Sequence, residues 1–133
     1  MLYLDTSAFL KLVLREKHSA ALTRVLDDRD SVLVASDLLR TEALRAARNH
    51  SPAAVARVRL LLQGITLIGL TSDICERAAE LDPQILRSLD ALHLASALAL
   101  GDDLEAVVTY DQRLRQACEL YGLLVVAPGE RKH

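Results

Sequence analysis

Five short runs of nearly unbroken apolar residues, at 2–5, 32–35, 65–70, 106–109 and 123–127, constrain what this chain can become. A strand with one wet face alternates apolar and polar residues. A run that is apolar throughout has to be covered on both faces. The stretches between the runs read as amphipathic helices. Strands alternating with helices predict an α/β domain with a mainly parallel sheet and right-handed crossovers. At 133 residues and 51% hydrophobic, the chain can bury a full core and is not disordered. One domain is expected over residues 1–129, with a frayed tail at 130–133.

The apolar stretches near 60–70 and 91–100 are too short or too interrupted to span a bilayer. The opening Met1-Leu2-Tyr3-Leu4-Asp5 has no basic segment before its apolar residues, unlike a secretory signal. Cys75 and Cys118 form no closely spaced pair and read as two reduced, buried thiols, which suits the cytoplasm. The net charge of −2 excludes a global basic field. Contact with nucleic acid would have to be local, or rely on a metal ion for positive charge.

Helix boundaries are marked in several places. Ser51-Pro52 places a capping hydroxyl before a proline in the first turn, and Asp82-Pro83 repeats the pattern. Thr109-Tyr110-Asp111-Gln112 has the spacing of a capping box that starts at Thr109. Gly64, Gly101 and Gly122 each follow a helical stretch, where a left-handed residue closes the last turn.

In open parallel sheets, ligands bind beyond the carboxyl ends of the strands, where strand order reverses. Asp5 closes the first run and Asp111 follows the fourth, so both belong to that edge. Taken singly, each also reads as a helix N-cap, although Thr6, Ser7 and Thr109 are available as caps instead. Glu42 shares a helical face with Leu38, Leu39 and Ala46, a costly place for a charge unless it is paired; Arg45, three residues on, is one partner. Asp90 opens a very apolar helix. Four carboxylates at one edge would repel one another strongly, and either raised pKa values or a divalent cation would relieve them. Hard oxygen donors suit Mg²⁺ or Mn²⁺, which activate water and offset phosphoryl charge.

These segments resemble a known family. Tyr3-Leu4-Asp5-Thr6-Ser7, Arg40-Thr41-Glu42, Leu89-Asp90-Ala91-Leu92-His93-Leu94-Ala95, Val108-Thr109-Tyr110-Asp111 and Val125-Val126-Ala127-Pro128-Gly129 are similar to PIN-domain proteins, specifically to VapC toxins of type II VapBC toxin–antitoxin systems. The resemblance spans nearly the whole chain. It implies a three-layer α/β/α fold with a five-stranded sheet in the order 3-2-1-4-5. It also implies a Mg²⁺-dependent endoribonuclease, usually dimeric, that pairs with a VapB-type antitoxin. Carried onto this sequence, Asp5, Glu42, Asp90 and Asp111 form the metal pocket, and Thr6, Ser7 and Thr109 orient carboxylates or water. Gln112 departs from the basic residue expected after the last acid.

Arg40, Arg45, Arg48, Arg57 and Arg59 outnumber the acids of residues 36–63. They read either as a solvated helical face or as a track guiding RNA phosphates to the metal, with Arg45 and Arg48 the residues to test. Tyr110, beside the pocket, is the one candidate for stacking on a base. Tyr3 and Phe9 read as core. His93 reads as a buried hydrogen-bonded or dimer-facing histidine, and Ser7 lacks the partners of a nucleophile. Rival readings are a PIN-domain RNA-processing nuclease, a non-catalytic module on the same fold, and a phospho-acceptor receiver domain. The last needs a late lysine near the pocket, whereas the lysines here are Lys11, Lys17 and Lys132.

Overall fold

The structure is a computed structural model that describes residues 1–84 and 86–130. Its strands are β1 (Leu2–Leu4), β2 (Leu33–Ser36), β3 (Thr66–Ile68), β4 (Ala106–Val108) and β5 (Val125–Val126). Every pairing is parallel, and the order is β3-β2-β1-β4-β5, as the resemblance implied. The helices are α1 (Thr6–Leu14), α2 (Ser19–Asp28), α3 (Leu38–Arg48), α4 (Pro52–Leu62), α5 (Ser72–Glu80), α6 (Ser88–Leu98) and α7 (Gln112–Leu120), with a short 3₁₀ turn at Gly101–Asp103.

Strand pleating sorts the core into layers, since neighbouring residues face opposite ways. Leu2, Leu4, Ala106 and Val108 meet Ala8 and Leu22 on one side of the sheet. Ala35 faces Phe9, Leu39, Ala43, Val58 and Leu62 from α1, α3 and α4. Tyr3 and Val107 point the other way, into Ile74, Leu94, Leu114 and Ala117 of α5, α6 and α7. The central strands β1 and β4 are buried at every position, and the edge strands β3 and β5 are only partly covered. That division places the apolar triplets Leu2–Leu4 and Ala106–Val108 at the centre of the sheet, with the polar Asp5 and Thr109 following them at its carboxyl edge.

Several local expectations are corrected. Ser51 caps α4 through its hydroxyl, which accepts from Ala54 N–H at 3.0 Å, but Asp82-Pro83 starts no helix. The Asp82 N–H instead donates to the Tyr121 hydroxyl at 2.9 Å, within the connection from α5 to α6. Gly101 and Gly122 adopt positive φ (56° and 75°), whereas Gly64 does not. There α4 unwinds through tight turns, with Gly64 N–H donating to the Leu61 carbonyl and Ile65 N–H to that of Leu62. Cys118 is buried but Cys75 is exposed, because α5 buries the Ile74–Ala78 stripe and Cys75 lies beside it. Glu130, the first residue of the expected tail, is ion-paired with Arg115 at 2.8 Å. The rest of the expected tail, 131–133, lies outside the described residues.

Candidate active site

The carboxyl ends of β1 and β4 lie side by side where strand order reverses. A cavity of about 310 Å³ opens at this edge, and Asp5, Glu42, Asp90 and Asp111 all line it, together with Arg87 and His93. Four acids spread over more than a hundred residues of chain therefore share one opening.

Asp5 follows β1 and caps α1. Its Oδ1 accepts from Ala8 N–H at 3.0 Å and from the Ser7 hydroxyl at 2.7 Å, and its Oδ2 accepts from the Thr109 hydroxyl at 2.6 Å. The residue is 4% exposed. Burial penalises the charged form and pushes the carboxyl above its ordinary value, against the opposing pull of these hydrogen bonds. Ser7 Oγ also accepts from Tyr110 N–H and Thr109 Oγ1 from Asp111 N–H, both at 3.0 Å. The two hydroxyls thus knit the end of β1 to the end of β4.

Asp111 caps α7. Its Oδ1 accepts from Arg113 N–H at 2.9 Å and Leu114 N–H at 3.1 Å, and its Oδ2 faces the cavity. Capping and lining the cavity are therefore compatible, because they use different oxygens. The expected capping box at Thr109 does not form, and the N-cap is Asp111 two residues on, since the Thr109 hydroxyl is engaged with Asp5 and Asp111 N–H.

Glu42 reaches the cavity from the middle of α3. Its partners are the Thr6 hydroxyl at 2.6 Å and His93 Nε2 at 2.7 Å, both on Oε1, and not Arg45. Burial pushes its carboxyl up, but the His93 and Thr6 hydrogen bonds outweigh this and hold it below the ordinary value. His93, 3% exposed, continues the chain: Nδ1 lies 2.7 Å from the Tyr3 hydroxyl, whose oxygen accepts from Ser36 N–H at 3.3 Å. Burial pushes the Tyr3 phenol up, so it keeps its proton. With that proton donated to Nδ1, a neutral imidazole carries its own on Nε2 and donates it to Glu42. Every group in this line is then satisfied, and Glu42 is positioned from the far side of the sheet.

Asp90, in the first turn of α6, meets the Arg87 guanidinium: Nε is 3.2 Å from its Oδ2, and Nη2 reaches Asp111 Oδ2 at 3.6 Å. Sequence reasoning missed Arg87, although its position three residues before Asp90 is the spacing of a helical ion pair. It also read Tyr3 as core alone, without its polar role. Among the described residues, no three His, Cys, Asp or Glu side chains stand so that they could hold one metal ion as they are. The donor chemistry nonetheless fits a small hard cation, since carboxylates and hydroxyls line the cavity and no thiol does.

Arg45 and Arg48 are exposed on α3 and do not line the cavity. Tyr110 does not line it either. Its ring stacks on His18 with centroids 5.6 Å apart, Lys11 Nζ lies 5.4 Å from the ring centre, and its hydroxyl donates to the Pro128 carbonyl at 2.7 Å. The ring and hydroxyl of Tyr110 are thus engaged outside the cavity.

The PIN domain family model matches residues 2–120. The chain is 41% identical to Ribonuclease VapC46 of Mycobacterium tuberculosis over 127 residues, covering 96% of this chain and 97% of the relative. It is 42% identical to Ribonuclease VapC35 of the same species over 135 residues, covering 99% and 100%. In fold it is similar to the crystal structure of M. tuberculosis VapC20, described as a sarcin–ricin loop cleaving toxin, with a TM-score of 0.75, 20% identity, and coverage of 96% and 100%. It is similarly close to a toxin–antitoxin complex from Klebsiella pneumoniae, with a TM-score of 0.75, 22% identity, and coverage of 98% and 100%. A PIN domain along most of its length, and full-length similarity to several VapC proteins, establish that this chain belongs to the VapC family of PIN-domain proteins.

Proposed function

We propose that this protein is the toxin of a type II toxin–antitoxin pair and acts as a Mg²⁺-dependent endoribonuclease, with Mn²⁺ able to substitute. The observation that carries the reading is the meeting of Asp5, Glu42, Asp90 and Asp111 around one cavity at the sheet's switch point, in a chain of this family. Asp5, Glu42, Asp90 and Asp111 would hold the ion. When bound, such an ion acidifies water and offsets the charge of the phosphoryl group.

The chain's own residues supply the rest. Ser7 and Thr109 fix both oxygens of Asp5, and Thr6 and His93 fix Glu42, so these two carboxylates are oriented before substrate arrives. Water oxygen bonds to phosphorus, the bond to the ribose 3′ oxygen breaks, and that oxygen takes the proton. The products carry a 5′-phosphate and a 3′-hydroxyl. Arg45 and Arg48 form the track for the RNA backbone, contacts that position the strand without reading sequence. The protein works as a cytoplasmic homodimer, and among the described residues no helix is long and apolar enough to cross a membrane.

Solved neighbours that are toxin–antitoxin complexes support a VapB-type antitoxin as partner. A cation from such a partner would neutralise the acidic cavity. The test is brief induction in cells, with mapping of new RNA 5′ ends. Wild-type protein is expected to arrest growth and create discrete new ends, Asp5→Asn and Asp90→Asn to do neither, and coexpressed antitoxin to restore growth. Growth arrest by Asp5→Asn at wild-type potency would contradict the reading. Cleavage without growth arrest would instead indicate an RNA-processing nuclease.

A further inference from the structure

We propose that Arg87 is a resident counter-cation of the acidic cavity: it occupies the Asp90–Asp111 face before a divalent ion binds, then gives up that face and holds an RNA phosphate. The proposal rests on the nuclease reading and adds a residue to it.

Three observations converge. Asp111 Oδ1 is committed to two backbone N–H groups of α7, so Oδ2 is the oxygen left to face an ion, and Arg87 Nη2 sits 3.6 Å from it. The same guanidinium places Nε 3.2 Å from Asp90 Oδ2, so one cation spans two of the four carboxylates. Finally, no three acids are arranged to hold a metal ion as they stand among the described residues. The cavity in this form is organised around a guanidinium.

The contact is also easy to leave. Arg87 is the extended residue just before α6, and its side chain is 61% exposed. Ion pairs this open are weak, because water screens them and the long side chain loses freedom by staying. A divalent cation offers the same carboxylates twice the charge at shorter range. Once released at the cavity mouth, the planar guanidinium exchanges a carboxylate for a phosphate, which it matches with a two-pronged hydrogen bond. The displaced cation then meets the anionic phosphate that RNA brings to the cavity mouth.

The experiment titrates Mn²⁺ into the full-length wild type, Arg87→Gln and Arg87→Lys, following free Mn²⁺ by electron paramagnetic resonance, then measures RNA cleavage at saturating Mn²⁺. Removing one positive charge beside a divalent ion should tighten Mn²⁺ binding roughly five- to tenfold in Arg87→Gln. The same variant should raise KM for RNA about tenfold. Arg87→Lys, a cation without the fork, should bind Mn²⁺ like wild type and recover only part of the RNA affinity. Unchanged or weaker Mn²⁺ binding by Arg87→Gln, alongside Mn²⁺ binding and cleavage by wild type, would overturn the proposal and leave the nuclease reading standing. Tighter Mn²⁺ binding with unchanged KM would overturn the exchange onto phosphate. Absence of Mn²⁺ binding by wild type would overturn both readings.

Discussion

Tyr3→Phe removes one oxygen atom from the interior and tests whether Glu42 is positioned through the sheet. The ring is fully buried and stays in place. What goes is a 2.7 Å hydrogen bond to His93 Nδ1 and a longer 3.3 Å bond from Ser36 N–H. A net hydrogen bond contributes about 1 kcal/mol, and a buried polar group left without its partner costs about 1–3 kcal/mol. The 3.3 Å bond is long enough to add little, so the variant should lose about 1–3 kcal/mol in total. For a domain of this size, that is a fall in Tm of roughly 3–12 °C. The assay is urea unfolding at fixed protein concentration, paired with cleavage kinetics. Because His93 holds Glu42, kcat should fall while KM for RNA stays near wild type. A double-mutant cycle with His93→Ala should show a coupling of about 1 kcal/mol, since the two side chains share one bond. Stability within about 0.3 kcal/mol of wild type, with no coupling, would refute the relay.

Asp5 carries structure and chemistry together, so its substitutions should separate them. Asp5→Asn keeps an acceptor for Ala8 N–H and should unfold within about 1 kcal/mol of wild type yet cleave no RNA, whereas Asp5→Ala should lose about 2–4 kcal/mol, from the cap plus the orphaned Thr109 and Ser7 hydroxyls; matched urea curves check this. Thiol titration should count one reactive cysteine in native protein and two after denaturation, because Cys75 is exposed while burial pushes the Cys118 thiol up to about 12. Arg45→Ala with Arg48→Ala should weaken RNA binding about tenfold and flatten its salt dependence, measured by fluorescence anisotropy, with Mn²⁺ affinity unchanged.

Much of the fold was legible because burial on both faces of β1 and β4 leaves an apolar signature that survives in one dimension. Ser51-Pro52 was legible because its signal is local: the capping bond to Ala54 spans three residues. Signals failed where long-range contacts took over a local group. Thr109 has the spacing of a cap, but its hydroxyl goes to Asp5, 104 residues away. Tyr110 stands beside Asp111 in sequence, yet His18 and Pro128 hold its ring and hydroxyl elsewhere. The acids were readable as strand-end and helix-start carboxylates, because topology alone brings those positions to one edge. Their supports were not. The Tyr3–His93 bond crosses 90 residues, and nothing local marks either residue as polar infrastructure. Arg87 escaped notice for a different reason: its spacing to Asp90 was visible, but its reach to Asp111 exists only once α6 and α7 sit together.

Anomalous diffraction from crystals soaked in manganese tests the central claim most directly. The account predicts a manganese peak among the carboxylates of Asp5, Glu42, Asp90 and Asp111, with the Arg87 guanidinium withdrawn from Asp90 and Asp111. A cavity without a peak at saturating manganese, with Arg87 still bridging Asp90 and Asp111, would contradict it.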